Sequence, residues 1–501
     1  MARYRADVEL PLSIDRSAGS IPGQIVEQIR AMVTHGRLLP GDRLPSTRAL
    51  ADRAGVSRGS VTTAYDQLSV EGYVVADRGN TRITPELPGV MRSSFTGNGA
   101  KTSRGGGRTD LETRRPRGGA APTKDRHPTS IKCPFDLRPG TPDTSTLANT
   151  TWRAAWRAAA AEPSLGYAPQ GSPALRDQLS EYLRLMRSVV RGPEDLMVTA
   201  GARDGLRVLL TTLYERKART LIVAVEDPGY PSLHRVPRAL GHRIVPVPLD
   251  EQGLNPAGFP AGGDRPDVVL VTPSHQYPMG ATMPVARRLE LIRWARENQA
   301  IIVEDDYDSE LRYVGEPLPA LAALDEPGPG AEQSVATLGS FAKVLTPGLG
   351  LGYLLMPHHL AEDLVSLKND AGPPISGILQ DAMTRFMAEG GLQRHTARMR
   401  RSYRRRRDLM ASVFDVTEAL GKAQVLPMDG GLHAVLQLSS SEAESRVVEE
   451  ARRRGVAVSG LGTYWSGGRG RAGVVVGFGG LSEHRFERGL VLLREALENS
   501  V

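Results

Sequence analysis

Apolar positions recur along this chain in two periods, and the change from one to the other divides it. Over the first 84 residues the period is mostly helical. Ile25, Ile29, Met32 and Val33 make one apolar stripe, which predicts a helix from Ile21 to Leu38, ended by Gly36 and Pro40-Gly41. Ser46 is placed to cap a second helix through Arg53, with Gly55 at its left-handed end. Ser57 is placed to cap a third, whose inward face is Val61, Tyr65 and Leu68. Two short helices joined through a glycine turn describe a helix-turn-helix. Tyr73–Ala76 and Thr81–Ile83 then read as strands around Arg78-Gly79-Asn80, a wing.

From Pro85 to Ser130 there is no period. The segment is rich in Gly, Arg, Pro, Ser and Thr, and is expected to be largely disordered. Beyond it, short continuous apolar runs predict buried strands. They include Leu221–Val225, Asp267–Thr272, Ala300–Val303 and Ser334–Leu338, and Val198–Ala202 ends another strand and opens a helix. Helices are expected between them, at Ala174–Met186 and Arg203–Tyr214 among others. The stretch between Val303 and Ser334 is long enough for a crossover, so those two strands can lie parallel. Three parts follow: 1–84, 85–132 and 133–501.

Composition narrows the class. With 501 residues, 40% hydrophobic and 24% charged, the chain reads as a globular protein of two or more domains. No apolar run approaches a membrane span and the start lacks a signal-peptide pattern, so the cytoplasm is expected. The single cysteine, Cys133, excludes an internal disulfide and an all-cysteine metal site; no metal is expected. Net charge is +7, and its distribution tells more than its sum. Residues 85–132 hold 10 Lys and Arg against 4 Asp and Glu, whereas residues 1–84 hold 11 against 9. A basic segment beside a helix-turn-helix strengthens phosphate contacts, and the same charge keeps a linker extended.

Candidate chemistry gathers where two strands end. Ala300–Val303 leads into Glu304-Asp305-Asp306-Tyr307-Asp308, and Ser334–Leu338 leads into Gly339-Ser340-Phe341-Ala342-Lys343. Ligands of an open parallel sheet gather beyond the carboxyl ends of its strands, which places Asp305, Tyr307 and Lys343 on one rim. A lysine that condenses with an aldehyde, a carboxylate that pairs with a pyridinium nitrogen and a phenol for the ring oxygen suit pyridoxal phosphate (PLP). Taken alone, the same residues also read as an exposed loop lysine and a solvated acidic turn.

The flanking words resemble the fold-type I aminotransferases, and most closely the MocR/GabR-like branch of the GntR regulators. They are Tyr167–Gly171, Glu226–Pro231, Thr272–Gly280, Glu304–Glu310 and Ser340–Tyr353, in order across residues 133–501. Leu38–Arg48 and Val56–Tyr65 resemble the GntR winged-helix signature. The resemblance implies an α/β chain: an N-terminal winged helix-turn-helix, a flexible basic linker, and an aminotransferase-like effector and dimerisation domain. That last domain would have a mostly parallel sheet and a smaller C-terminal α/β subdomain. It implies PLP held by Lys343, Asp305, Tyr307, Tyr230, Ser340, Tyr277, Gly201 and Ala202, with Tyr167 reaching the partner subunit's cofactor phosphate or packing in the core. It implies double-stranded DNA bound through Arg48 and Arg58, with Ser46, Thr47, Ser57, Ser60, Thr62 and Gly79 close by. It implies a homodimer in which the DNA module lies over the other subunit, and a small-molecule effector.

Departures from that pattern matter. Ala342 replaces a Ser, and Gly350 replaces the Arg that grips the phosphate. Arg203-Asp204 stands where Gln-Gln is usual, so one charge favours a phosphate and the next opposes it. Val475 lies where an Arg commonly holds a substrate carboxylate. The basic run Arg398–Arg407 reads as a solvated helix face or as a DNA-backbone contact. Three functions remain in play: a PLP-linked transcriptional regulator, a regulator whose body has lost PLP, and an aminotransferase with a DNA-binding appendage. The missing Arg at Val475 weighs against turnover.

Overall fold

The computed structural model describes residues 8, 10–16, 20–34, 36–70, 73–77, 80–84, 133–163, 166–313, 319–326, 331–372, 374–426, 428–467 and 470–500. The expected linker and Gly79 lie outside these residues.

The amino-terminal module forms as its pattern requires. Helix α1 (Ile21–Thr34) stops four residues short of the expected Leu38. Its stripe Ile25, Ile29, Met32 and Val33 is buried. Helix α2 (Thr47–Ala54) has Ser46 at its N-cap, accepting from Ala49 N, and Gly55 in the left-handed region at φ 60°. Helix α3 (Arg58–Val70) buries Val61, Tyr65 and Leu68. The Tyr65 hydroxyl donates 2.9 Å to Pro45 O, which ties α3 to the turn before α2. Strands β1 (Val74–Asp77) and β2 (Asn80–Ile83) pair antiparallel, Val74 opposite Ile83, as the wing.

After strand β3 (Phe135–Asp136) come helices α4 (Thr150–Ala161) and α5 (Pro173–Arg187), then the main sheet. Its strands are β4 (Leu196–Thr199), β5 (Ile222–Asp227), β6 (Arg243–Asp250), β7 (Gly253–Leu254), β8 (Val268–Val271), β9 (Ile301–Asp306), β10 (Val335–Ser340) and β11 (Gly352–Leu355). They lie in the order β4-β11-β10-β9-β8-β5-β6-β7. The run from β6 through β10 is parallel, and β9 pairs β10 with Ile302 opposite Val335. Strands β4, β5, β8 and β11 are buried at every residue, which is why stretches such as Ile222–Val225 and Val268–Val271 read as apolar runs. Helix α6 (Ala202–Lys217) leaves β4 through Gly201. A second, antiparallel sheet near the carboxyl end pairs His433–Leu438 with Ala472–Gly477 and closes over its own apolar core.

Strand β9 is longer than its apolar run foretold. It continues through Glu304, Asp305 and Asp306, all buried. Buried acids need partners. Glu304 accepts from Leu321 N and from the Thr337 hydroxyl, at 3.1 and 3.2 Å. Asp306 forms an ion pair with Arg187 of α5 at 2.7 Å. Asp305 lies between them and points elsewhere.

Helix α5 also carries the junction between the two bodies. Arg184 donates to both carboxylate oxygens of Asp42, at 2.5 and 2.8 Å, and both side chains are buried. Leu185 and Met186 pack into the same apolar cluster as Leu38, Leu44 and Ile29 of the amino-terminal module. On the module side, Arg37 donates 3.0 Å to Ala323 O.

Candidate functional site

A cavity of about 310 Å³ opens beyond the carboxyl ends of β9 and β10. Lys343 and Asp305 line it. The Lys343 ammonium donates 3.0 Å to Gly140 O and sits 5.9 Å from the centre of the Tyr230 ring. Burial lowers its pKa, which favours the neutral, nucleophilic amine. Gly140 has φ 102°, and a Cβ there would lie 3.0 Å from Lys343 Nζ, so this position needs glycine. Asp305 is fully enclosed. Burial, then the charges of Asp306 and Asp308, push its carboxyl up to about 8. Its Oδ1 is buried without a hydrogen-bond partner. A buried acceptor in that condition is costly unless a donor arrives.

Aromatic rings form the walls. Tyr230 and Tyr277 meet edge to face, with centroids 5.1 Å apart, and Tyr277 stands 5.8 Å from Tyr307 in the same manner. The Tyr307 hydroxyl donates 2.9 Å to His275 O, and His275 Nδ1 lies 3.0 Å from Asp308. Burial raises the Tyr277 and Tyr307 phenols well above their ordinary value, so both stay protonated donors.

The opposite end suits a phosphate. Gly201, at φ 86°, turns the chain so that the first N–H groups of α6 are presented to the cavity. Ser232, Ser340 and Thr346 add hydroxyls, and Arg203 adds the one arginine among the described lining residues. Asp204 does not oppose it. That carboxylate is turned away, accepting from Ala200 N at 3.0 Å and from the Lys368 ammonium at 2.9 Å. Gly350 lines the cavity at φ 56° with open space beside it. The residues therefore fit PLP: an unmatched buried acceptor for a ring N–H, an amine for the aldehyde, and a helix start for the phosphate.

The structure thus gathers Lys343, Asp305, Tyr307, Tyr230, Ser340, Tyr277, Gly201 and Ala202 around one cavity. Tyr167 is not among them. It is 64% exposed, which rules out core packing and leaves it away from this chain's own pocket. Sequence reasoning missed Gly140, Ser232 and Thr346. Ser232 follows Glu226–Pro231 and Thr346 lies within Ser340–Tyr353, so proximity to those words was the available signal for both.

On the amino-terminal module Arg48 and Arg58 are exposed in the first turns of α2 and α3. Arg58 Nε lies 3.4 Å from the Thr47 hydroxyl. Ser46 and Ser57 are engaged as caps, the latter accepting from Ser60 N at 3.0 Å and sharing a 2.9 Å bond with the Ser60 hydroxyl. The Thr62 hydroxyl donates back to Arg58 O at 3.0 Å. Two arginines and two helix starts on one face suit a phosphate backbone and groove edges.

Comparison with known proteins agrees in both halves. Residues 22–81 match the gntR family of bacterial regulatory proteins, and residues 136–475 match class I and II aminotransferases. The chain is 42% identical over 478 residues to the HTH-type pyridoxine biosynthesis transcriptional regulator PdxR of Corynebacterium glutamicum, covering 95% of this chain and 96% of that one. It belongs to the MocR-type gntR regulators. A second relative of this type, the probable rhizopine catabolism regulatory protein MocR of Rhizobium meliloti, is 31% identical across 97% of this chain and 95% of its own. The MocR-type body has the aminotransferase fold: Pyrococcus horikoshii kynurenine aminotransferase superposes with a TM-score of 0.65 at 24% identity, over 73% of this chain and 91% of that one. As a MocR-type regulator the chain is a DNA-binding transcriptional regulator, its aminotransferase-like domain carried behind a gntR reader. Among the described residues no helix is long and apolar enough to cross a membrane.

Proposed function

We propose that this regulator binds PLP at Lys343 and that PLP itself is the signal it senses, in control of genes for pyridoxine synthesis. One observation carries the reading. The position that would hold a substrate carboxylate is Val475, fully buried in an apolar cluster with Tyr277, Leu461 and Tyr464. The pocket's single described arginine, Arg203, lies at the phosphate end. The cavity therefore matches a pyridine aldehyde and its phosphate, but its described walls offer an amino acid no second arginine for its carboxylate. The relative named for pyridoxine biosynthesis is consistent with this choice of ligand.

When bound, PLP would supply an electrophilic aldehyde and a dianionic phosphate. Lys343 holds the aldehyde, Asp305 the ring nitrogen, and Tyr230 the ring face. Arg203 takes over the phosphate charge that Gly350 lacks. Arg203→Ala should then weaken PLP binding about tenfold, the loss of one exposed charge-assisted bond. A fluorescence titration showing unchanged affinity would remove Arg203 from this role.

Operator binding follows from Arg48 and Arg58. Arg58→Ala should cost about 1–3 kcal/mol, roughly 5- to 150-fold in operator affinity. A footprint unchanged in position and strength would refute the assigned docking face. Sensing is tested by measuring operator affinity across a PLP titration. A response to PLP alone, without an amino donor, supports the reading. A response that requires an amino acid makes a second small molecule the effector of a PLP-linked regulator, and steady turnover of amino donors replaces the reading with the aminotransferase one. We read the working form as a cytoplasmic homodimer. Exposed Tyr167 is then free to reach the partner's pocket.

A further inference from the structure

A second cavity, of about 340 Å³, lies between the outer face of α2 and the long helix Gly391–Ala419. It is close in size to the lysine pocket. Arg53 enters it from the reader, and Arg312, Arg400, Arg401 and Arg404 from the larger body; Asp52 is the one carboxylate among the described lining residues. Arg404 is anchored, donating 2.6 Å to Tyr313 O. Arg53 Nη1 and the Ser309 hydroxyl are buried there without hydrogen-bond partners. On the described walls guanidinium groups outnumber carboxylates in a partly enclosed space, and the unmatched Arg53 Nη1 and Ser309 hydroxyl add to the cost. An anion removes both penalties at once.

We propose that this cleft binds a small phosphorylated anion that bridges the DNA reader and the aminotransferase-like body. Guanidinium forks match phosphate oxygens in pairs. A phosphate of duplex DNA would offer the same chemistry. The walls that α2 and the long helix raise on either side favour a small molecule, because a duplex presents its phosphates as a continuous rail. Since the walls come from both bodies, filling the cleft favours one arrangement of reader and sensor, and by linkage it shifts operator affinity. This site is independent of PLP at Lys343.

The test uses the full-length protein and inorganic pyrophosphate, followed by calorimetry. Arg53→Gln and Arg401→Gln should each weaken pyrophosphate at least tenfold, and Arg53→Lys should recover most of the loss. Asp52→Asn should tighten it several-fold. Arg401 is exposed, so its substitution does not threaten folding. Arg203→Ala should leave pyrophosphate binding intact. If binding is instead lost in Arg203→Ala and kept in the cleft variants, the anion belongs to the lysine pocket and the proposal fails. It fails too if Arg53→Gln weakens operator binding equally with and without pyrophosphate while the salt slope falls by about one. That result would make the cleft a DNA-backbone contact.

Discussion

Lys343→Ala abolishes the near-visible absorption that the full-length protein gains with PLP, and with it any effect of PLP on operator affinity. The expected loss is complete, because no second amine stands in the pocket: Lys343 is the only lysine on its described walls. The geometry prepares this one amine. Burial holds it toward the neutral form, Gly140 O fixes its position, and the Tyr230 ring lies beside it. Asp305, with its unmatched oxygen, awaits a protonated ring nitrogen. Absorption spectra of both proteins at millimolar PLP decide the matter. A band that persists in the variant would place the covalent link on another residue. No band in either would favour a sensor that has lost the cofactor.

The second large effect concerns the junction. Arg184→Ala leaves Asp42 as a buried charge without its partner. Breaking such a pair costs about 3–5 kcal/mol. Arg184 also donates 3.1 Å to Arg37 O, so a backbone acceptor is orphaned as well. The reader should detach from α5, seen as faster amide exchange across α1 to α3 and an earlier thermal transition. Removing both charges, in Asp42→Leu with Arg184→Met, should recover much of the loss, since the pair's own net worth is small once desolvation is counted. A cost below about 0.5 kcal/mol in the single variant would place it among ordinary exposed surface substitutions and show that the contact does not hold the two bodies together.

Much of this architecture was readable in advance, for identifiable reasons. The stripe on α1, the serine before α2 and the glycine after it act over a few residues, so local pattern suffices. Strands β5 and β8 are buried on both faces and announce themselves as apolar runs. What was hidden depends on distance in sequence. Asp42 and Arg184 are 142 residues apart, and each alone is an unremarkable charge. Asp204 looked like an obstacle to a phosphate until Lys368, 164 residues on, was seen to hold it. Strand β9 appeared to end at Val303 because acids rarely continue a buried strand. It continues because Arg187, Thr337 and the Leu321 amide supply what those acids need.

Arg184 and Arg187 stand one turn apart on α5, one engaged by the reader and the other by the strand that bears Asp305. This limits how such proteins can be recombined. A chimera that grafts another gntR reader onto this body would present its own residue to Arg184 and leave that buried guanidinium with only half-exposed Glu181 as its acid, unless another acid stood at the place of Asp42. Readers and bodies of this type should therefore be exchangeable only in sets that carry matching residues at those two positions.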